Sequence, residues 1–172
     1  MINFKAQPIR LVRGFTLVEM LVYLAIFMVV STASVTFLIS LNDFIRQYKI
    51  ETILYKSGTN AMEQIILGIR QADQVNMLNS TFNSPSTGRL TVEHGASSTA
   101  FLLNAGTLEI SIDGTNLGDV LNDNVSVSEF TVYHYPLAVG ELVRVKLRLD
   151  ATVGTVTKSL TLYGGSVVRG SI

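Results

Sequence analysis

Residues 13–41 read RGFTLVEMLVYLAIFMVVSTASVTFLISL, and this stretch decides how the chain is organised. The 22 residues from Met20 to Leu41 carry no formal charge. As a helix they would reach about 33 Å, which is enough to cross the apolar core of a bilayer. Basic residues precede this run without any acid among them, at Lys5, Arg10 and Arg13. The positive-inside bias therefore predicts a cytoplasmic N-terminus and an extracytoplasmic C-terminal part.

The composition limits the classes of function that the chain can serve. Its 172 residues predict one small domain in addition to the N-terminal segment. Hydrophobic residues make up 48% and charged residues 15%, mainly because of residues 15–41. Beyond Gly14 the chain has 10 bases and 13 acids, so it lacks the general electrostatic footprint of a nucleic-acid-binding protein. The absence of cysteine excludes disulfides, thiol catalysis and cysteine-ligated metals.

Two kinds of N-terminal processing are compatible with the apolar segment. Small residues at Ser31 and Ala33 fit a secretory signal peptide that is cleaved after Ala33. Against this alternative, the uncharged run continues to Leu41 and leads without a turn signal into a helical pattern. A peptide that is discarded does not need that continuity, but the spacing alone leaves both alternatives open.

The order of residues in RGFTLVEMLVYLAI, Arg13 to Ile26, resembles the class III signal of type IV prepilins and type II secretion pseudopilins. The resemblance implies that residues 1–14 form a cytoplasmic leader, which the prepilin peptidase removes between Gly14 and Phe15 before Phe15 is N-methylated. Glycine suits such a site because it has no side chain to obstruct an approaching protease. Residues 15–41 would then remain as a transmembrane and filament-core helix.

Glu19 is an acid at the start of the apolar segment, where a carboxylate is costly. Ionisable residues in membrane spans are by default functional-site candidates. The family resemblance makes Glu19 the fifth residue of the mature chain and implies that it neutralises an N-terminal amine, its own or that of a neighbouring subunit, during assembly. The alternative is that Glu19 only snorkels to the membrane interface.

Beyond the span, residues 42–73 predict an amphipathic continuation of the helix. Apolar and threonine side chains recur at steps of three and four, at Ile45, Tyr48, Thr52, Tyr55, Thr59, Met62, Ile66 and Ile69. No proline occurs between Pro8 and Pro85, so no sharp kink is expected. Many major pilins have a proline at the place corresponding to Thr36, and its absence favours a minor subunit or a pseudopilin.

Residues 74–172 predict an extracytoplasmic β-rich head domain. Residues 76–88 form a loop rich in turn-forming residues, and apolar residues then alternate with polar ones in several short runs. One strand precedes the turn Asn104–Thr107, and another turn follows at Asp113-Gly114. The alternation slips near Ser128 and Glu129, which predicts a bulge. The fold class is therefore α+β, with a long N-terminal helix packed on a C-terminal antiparallel β-sheet domain, as in pilins.

The order of the elements sharpens the resemblance. A helix ending in IRQADQV, the turn NAGT, the stretch DNVSVSEFTVYHY and a final pair of strands ending in SVVRG resemble the J-type minor pseudopilins and W-type minor pilins. This second resemblance covers nearly the whole chain, but it rests on loose motifs. It implies a subunit that acts with other minor subunits to initiate a filament.

The head domain offers no recognisable catalytic constellation. His94 and His134 are far apart in sequence and have no partners at relay spacing, which predicts surface or turn-flanking histidines. The acids Asp113, Asp119 and Asp123 lack the spacing of an EF-hand and are interpreted as turn residues. A basic stripe, Arg144, Lys146 and Arg148, predicts a solvated strand face rather than a DNA-binding site. We expect no enzyme activity, cofactor or metal.

The leading hypothesis is a minor pilin or pseudopilin of a type IV pilus or type II secretion-like filament. Its expected partners are other major and minor subunits, contacted through the N-terminal helix, the prepilin peptidase and the inner-membrane assembly platform. It would move from the cytoplasmic membrane into a periplasmic or extracellular filament, and nucleic acid is expected only if that filament serves DNA uptake in competence. The alternatives are a single-pass membrane-anchored extracytoplasmic binding domain and a binding domain released after Ala33.

Overall fold

The computed structural model describes residues 14–121, 124–138, 140–154 and 156–168. The chain divides into two compact units, residues 1–44 and residues 45–172. Within the described residues one long helix precedes a series of strands, which confirms the predicted α+β class. The elements are α1 (Leu17–Gln71), β1 (Gln74–Val75), β2 (Arg89–His94), β3 (Ser97–Asn104), β4 (Thr107–Ile112), β5 (Thr115–Asp119), β6 (Val125–Pro136), β7 (Glu141–Val153) and β8 (Val156–Val168).

The described strands form two antiparallel sheets, one in the order β1-β2-β3-β4-β5 and one in the order β6-β7-β8. The β3–β4 turn places Ala105 at φ 47° and Gly106 at φ 86°, and the β4–β5 turn places Asp113 at φ 49° and Gly114 at φ 80°. Two consecutive positive φ angles are what a tight two-residue hairpin requires. Both turns lie where the sequence predicted them.

The sequence predicted one strand before the NAGT turn, and the structure has two, β2 and β3. Their residues pair from Arg89↔Leu102 to His94↔Ser97, around a turn at Gly95. Strand β3 carries the consecutive apolar residues Ala100 to Leu103. A continuous apolar run does not show the alternation of period two by which half-buried strands are recognised, and for this reason β3 was missed.

The edge of β6 that faces away from β7 is hydrogen-bonded to segments that connect strands of the first sheet. The register of β6 against β7 shifts between Val127 and Glu129, which confirms the predicted bulge. Backbone groups of the preceding segments close this edge by hydrogen bonds. Asn83 N donates to Val132 O at 2.9 Å, Phe130 N donates to Pro85 O at 3.0 Å, and Val127 N donates to Gly106 O at 2.7 Å.

The buried face of α1 differs from the face that the sequence predicted. Ile45, Tyr48 and Tyr55 are 54%, 66% and 63% exposed, so the predicted face is wrong in its first half. The helix instead buries a neighbouring stripe that includes several small residues: Ile50, Leu54, Ser57, Gly58, Ala61, Met62, Ile65 and Ile69. Small side chains allow the helix axis to approach the sheet closely, and burial of the bulky tyrosines would hold it away.

Gly58 lies at a close contact between α1 and the second sheet. A Cβ atom at position 58 would lie 2.6 Å from Leu162 Cδ1 and 2.9 Å from Leu149 Cδ1. The glycine therefore lowers the intrinsic helix propensity but permits the packing of the helix on the sheet. The sheet side of this contact includes side chains that are fully buried, among them Leu147, Leu149 and Phe130.

A large residue at position 58 should destabilise the head domain, because overpacking a dense core costs about 1–3 kcal/mol. We expect Gly58→Ile to lower the free energy of unfolding by this amount in detergent solution, measured by urea denaturation followed by circular dichroism. Thr59→Ile places the same side chain on the adjacent exposed position, and its effect should stay within about 0.5 kcal/mol. Equal effects of the two variants would show that Gly58 is not a close-contact position.

Candidate functional site

The start of α1 is capped by Thr16. The backbone N–H of Glu19 donates to Thr16 Oγ1 at 3.3 Å, and the N–H of Met20 donates to Thr16 O at 3.2 Å. Thr16 and Glu19 have the T-x-x-E spacing of a capping box, and the structure shows the threonine half of it, the bond from the Glu19 N–H to the Thr16 hydroxyl. The carboxylate also lies in the first turn of the helix, where the macrodipole favours negative charge. Sequence reasoning missed this role of Thr16, although the T-x-x-E spacing signals it.

Gly14 and Phe15 precede the helix and are both exposed. A Cβ atom at Gly14 would meet no described atom within 4 Å. The packing of the described chain therefore does not require glycine at this position. The ring of Phe15 lies 5.6 Å from that of Tyr23, centroid to centroid.

Residues 15–41 present apolar side chains on every side of the helix. Every residue in this range is exposed except Ser31, which is half-buried. Helix α1 is long and apolar enough to cross a membrane, judged by its length and composition, and no residue of its most apolar stretch is buried. A helix that is hydrophobic all round needs an apolar environment that this unit does not itself supply.

Four hydroxyls of the same segment form hydrogen bonds within the helix. The Thr32 hydroxyl donates to Met28 O at 2.8 Å, and the Ser34 hydroxyl donates to Val30 O at 2.8 Å. Thr36 and Ser40 bond in the same way to the carbonyls four residues earlier, each at 3.0 Å. In a bilayer such internal bonds spare each hydroxyl the cost of being buried without a partner.

The acidic residues of the head domain serve as local hydrogen-bond acceptors. Asp113 accepts from Ser98 N at 2.7 Å, and Asp119 accepts from Leu121 N at 2.9 Å. Asp123 lies outside the described residues. These contacts are the turn chemistry that the sequence predicted. Within the described residues no three His, Cys, Asp or Glu side chains come together in a group able to hold a metal ion.

An open acidic cavity of about 520 Å³ lies between the end of α1 and the start of β7, and it is lined by Asp73, Gln74, Glu93, Gly95, Gly140, Glu141 and Val168. Asp73 accepts from Gly95 N at 2.7 Å, and Glu93 accepts from the side chains of Gln74 and Asn76. The third carboxylate, that of Glu141, lies 3.5 Å from His134 Nε2 and has one oxygen buried without a hydrogen-bond partner among the described residues. One free carboxylate oxygen is not the convergent set of polar groups that a ligand site needs.

The two histidines lie apart, and neither belongs to a relay. His94 ends β2 beside the Gly95 turn, as predicted. The side chain of His134 is only 11% exposed, so the expectation of a surface histidine is wrong for this residue. Its ring centroid lies 5.4 Å from that of Phe82, and Nε2 lies 3.5 Å from Glu141 Oε2. Position 134 has the polar neighbours Tyr133 and Tyr135, so the sequence carried no signal of its burial.

The basic stripe lies on the outer face of β7, as the alternation predicted. Lys146 Nζ lies 2.8 Å from a Glu129 carboxylate oxygen on β6. Hydrogen bonding to Lys146 holds the pKa of Glu129 below its ordinary value of 4.5, and the same bond raises the pKa of Lys146 above 10.5. The central cation of the stripe is thus neutralised by an acid on the neighbouring strand.

Residues 9–35 match the family model of the prokaryotic N-terminal methylation motif. The matched range contains Gly14, Phe15 and Glu19, and it covers the N-terminal segment rather than the head domain. No curated protein and no solved structure matches the chain. The motif supports a prepilin-type N-terminus, and together with the exposed apolar helix it fits a membrane-anchored pilin-like or pseudopilin-like subunit.

The Glu129–Lys146 pair should make stability depend on pH at both extremes. Since folding lowers the pKa of Glu129, the contribution of this carboxylate is complete above pH 4.5 and is lost as pH falls through the lowered pKa. Since folding raises the pKa of Lys146, the contribution of the amine is complete below pH 10.5 and is lost as pH rises through the raised pKa.

We expect Lys146→Gln to flatten the decrease in the urea midpoint below pH 4.5 relative to the parent chain. Arg144→Gln removes a cation from the same strand face, but this cation has no ion pair within the described residues. This control should retain the slope of the parent. An unchanged slope in Lys146→Gln would contradict the role assigned to the pair.

Proposed function

We propose that the chain is a minor pilin or pseudopilin, a non-catalytic structural and assembly subunit of a type IV pilus or type II secretion-like filament. The observation that carries the proposal is the methylation motif at the start of a helix whose apolar side chains are exposed on all sides. Such a helix needs lipid before assembly and other helices afterwards. Either environment replaces water around the same side chains, so one segment serves both states.

Maturation would begin with cleavage between Gly14 and Phe15 by the prepilin peptidase on the cytoplasmic face. The exposure of both residues supports this site, as does the lack of any packing contact among the described residues that would require glycine at position 14. Cleavage removes residues 1–14 and creates an amine on Phe15, which is then N-methylated. Residues 15–41 remain in the cytoplasmic membrane, residues 42–73 continue the helix, and residues 74–172 form the extracytoplasmic head.

Glu19 would act as the acid of an assembly charge pair. It is the fifth residue of the mature chain and lies in the first turn of α1, so its carboxylate is close in sequence to the new N-terminus. The partner of the carboxylate is the Phe15 amine of its own chain or of a neighbouring subunit. An ion pair neutralises both charges before they enter the apolar core of a filament, where an isolated charge is costly. Glu19 would thereby restrict the register in which a subunit can be added.

Several features favour a minor subunit. Helix α1 runs through Thr36 without interruption, whereas many major pilins have a proline at the corresponding place. The sequence also resembles the J-type pseudopilins and W-type minor pilins, which suggests a role in initiating assembly with other minor subunits. The partners in this scheme are major and minor subunits, the prepilin peptidase and the inner-membrane assembly platform. Small residues on the span, Ala25, Ser31, Ala33 and Ser34, would permit close helix packing.

The first test is the N-terminus of the protein isolated from membranes of its host. Intact mass and N-terminal sequencing should identify methylated Phe15 as the first residue. Gly14→Val should leave the leader attached, because a β-branched side chain obstructs the approach of the peptidase to the backbone. A native N-terminus at Met1 would instead favour a single-pass anchored binding domain, and one at Ser34 a domain released by signal peptidase.

The second test concerns the carboxylate of Glu19. Glu19→Val should insert into the membrane as well as the parent, since it removes a costly charge from the apolar segment. Its incorporation into sheared filaments should fall more than about tenfold, because removing one member of a buried charge pair costs about 2–5 kcal/mol. Glu63→Val removes an exposed acid from the same helix and should assemble normally. Assembly of Glu19→Val at the level of this control would refute the role of the charge pair.

A further inference from the structure

Among the described residues one edge of strand β8 is not paired with another strand. The hydrogen bonds of β6 show which residues of β8 direct their backbone N–H and C=O groups to this free edge. In an antiparallel sheet each residue directs its N–H and C=O to one side, and successive residues alternate. Phe130 and Val132 bond outward to Pro85 and Asn83. Thr131 lies between these two residues and Tyr133 follows them. The backbone N–H and C=O groups of Thr131 and Tyr133 are therefore directed towards β7.

The same alternation extends across β7 to β8. Thr131 pairs with Lys146, so the backbone N–H and C=O of Lys146 are directed towards β6. Those of the adjacent Leu147 are directed towards β8. Leu147 pairs with Leu162, so the backbone N–H and C=O of Leu162 are directed towards β7. The residues that alternate with Leu162 direct their N–H and C=O groups away from the sheet. These residues are Thr157, Ser159, Thr161, Tyr163, Gly165 and Val167.

Within the described ranges no backbone group outside the sheet bonds to these six residues. The strand is 13 residues long, contains no proline and has one charged residue, Lys158, whose amine bonds to Glu51 on α1. Natural proteins usually protect a long edge with charges, prolines or a covering segment, because such an edge pairs readily with another strand. On β6 the structure provides that cover, and on β8 it provides none among the described residues.

The side chains beside the free edge also lack full cover. Leu160 and Leu162 face α1 and pack against the core, but both are only partly buried, as is Ile66 on the helix. On the outer face of the sheet the first part of the edge carries the exposed polar residues Thr157, Ser159 and Thr161, and the exposed Tyr163 and Val167 follow them. A strand added here would cover the leucines with apolar side chains on the helix side. Between residues 157 and 161 its side chains on the outer face would meet threonine and serine.

We propose that the free edge of β8 is the docking site for an extended strand of a different polypeptide chain, apolar on the side of α1 and polar on the other. Main-chain hydrogen bonds would supply the affinity, and the alternate side chains would supply the specificity. One step of this inference rests on the proposed function. This step excludes a second copy of the same chain as the partner, and it uses the anchoring of both copies in one membrane.

A second copy paired through β8 in the antiparallel direction would place its helix in the wrong orientation. Helix α1 runs beside β8 in the same direction, since Glu51 contacts Lys158, Gly58 faces Leu162, and Ile66 lies over Gly164. Antiparallel pairing of two β8 strands would make the two helices antiparallel. Two chains anchored in one membrane by their N-terminal segments need parallel helices.

The remaining edges of a second copy are also unsuitable. Parallel pairing of two β8 strands turns one sheet over, which places Leu160 and Leu162 beside the polar outer face of the other copy. The edge of β6 is closed from Val127 to Val132 by Asn83, Pro85 and Gly106, which leaves only its last four residues for pairing. The other sheet ends in β1 and β5, with two and five residues, which are too short to cover the 13 residues of β8. The occupant is therefore a strand of another protein.

The test is site-specific photo-crosslinking of the full chain in its host, with all other filament proteins present. Tyr163→p-benzoylphenylalanine places the probe on the free edge. Tyr135→p-benzoylphenylalanine is the matched control, because it replaces an exposed tyrosine on the same sheet face at the opposite edge strand, β6. We expect the Tyr163 probe to form an adduct with one different chain, within a segment whose apolar residues alternate, and the control to form none.

A proline at position 161 should distinguish an adduct that depends on backbone pairing from an adduct that forms by chance contact. Proline is tolerated where the N–H of an edge strand points outward, so Thr161→Pro should keep the fold while removing one docking hydrogen bond. We expect the adduct yield to fall about fivefold or more, the equivalent of one such bond. Thr161→Val retains the N–H and should keep the parental yield.

Hydrogen exchange provides a measurement that does not depend on any substitution. The amides of β8 should exchange more slowly in the assembled fraction than in the purified chain in detergent. Adducts with second copies alone, no adduct above the control, equal yields for Thr161→Pro and Thr161→Val, or unchanged exchange would each overturn the proposal. A mature Phe15 terminus without an edge adduct would reject only the edge proposal. An edge adduct on a chain that begins at Met1 would reject only the proposed function.

Discussion

The close packing of α1 on the second sheet is the interaction on which the head domain depends. Glycine at position 58 favours this packing, because a larger side chain would have to displace the ends of Leu149 and Leu162. The same contact determines which stripe of the helix is buried, and it exposes Tyr48 and Tyr55. It also aligns the helix with β8, so that the free edge of the sheet runs beside the helix. The core, the exposed helix stripe and the proposed docking edge thus follow from one contact.

The two parts of α1 differ in how their apolar side chains are placed. Between residues 15 and 41 four hydroxyls bond to helix carbonyls and the apolar side chains remain exposed, which suits lipid or a surrounding set of helices. After Ile50 one stripe is buried by the chain itself. In the proposed function this difference lets one helix hold a folded head outside the membrane while its first part exchanges lipid for protein.

Charge serves different purposes along the chain. In the head domain Glu129 and Lys146 form a local pair across two strands, and the shifted pKa values of both groups follow from that contact. Glu19 lies in the first turn of α1 with a favourable helix dipole. In the proposed function its ionic partner, the Phe15 amine, forms only after cleavage at Gly14. The capping role of Thr16 and the proposed pairing role of Glu19 are compatible, since the first uses backbone N–H groups and the second uses the carboxylate.

The sequence by itself determined the helix, the antiparallel sheet class, the NAGT and Asp113-Gly114 turns and the bulge near Glu129, because each depends on local periodicity or on local backbone geometry. It also predicted Gly14, Phe15 and Glu19, since a motif is a matter of residue order. Only the tertiary structure decided which of two adjacent helix stripes is buried, because both have spacings of three and four and the choice depends on Gly58 meeting Leu162. The division into two sheets, the burial of His134 and the free edge of β8 depend likewise on contacts between distant segments, which no local pattern encodes.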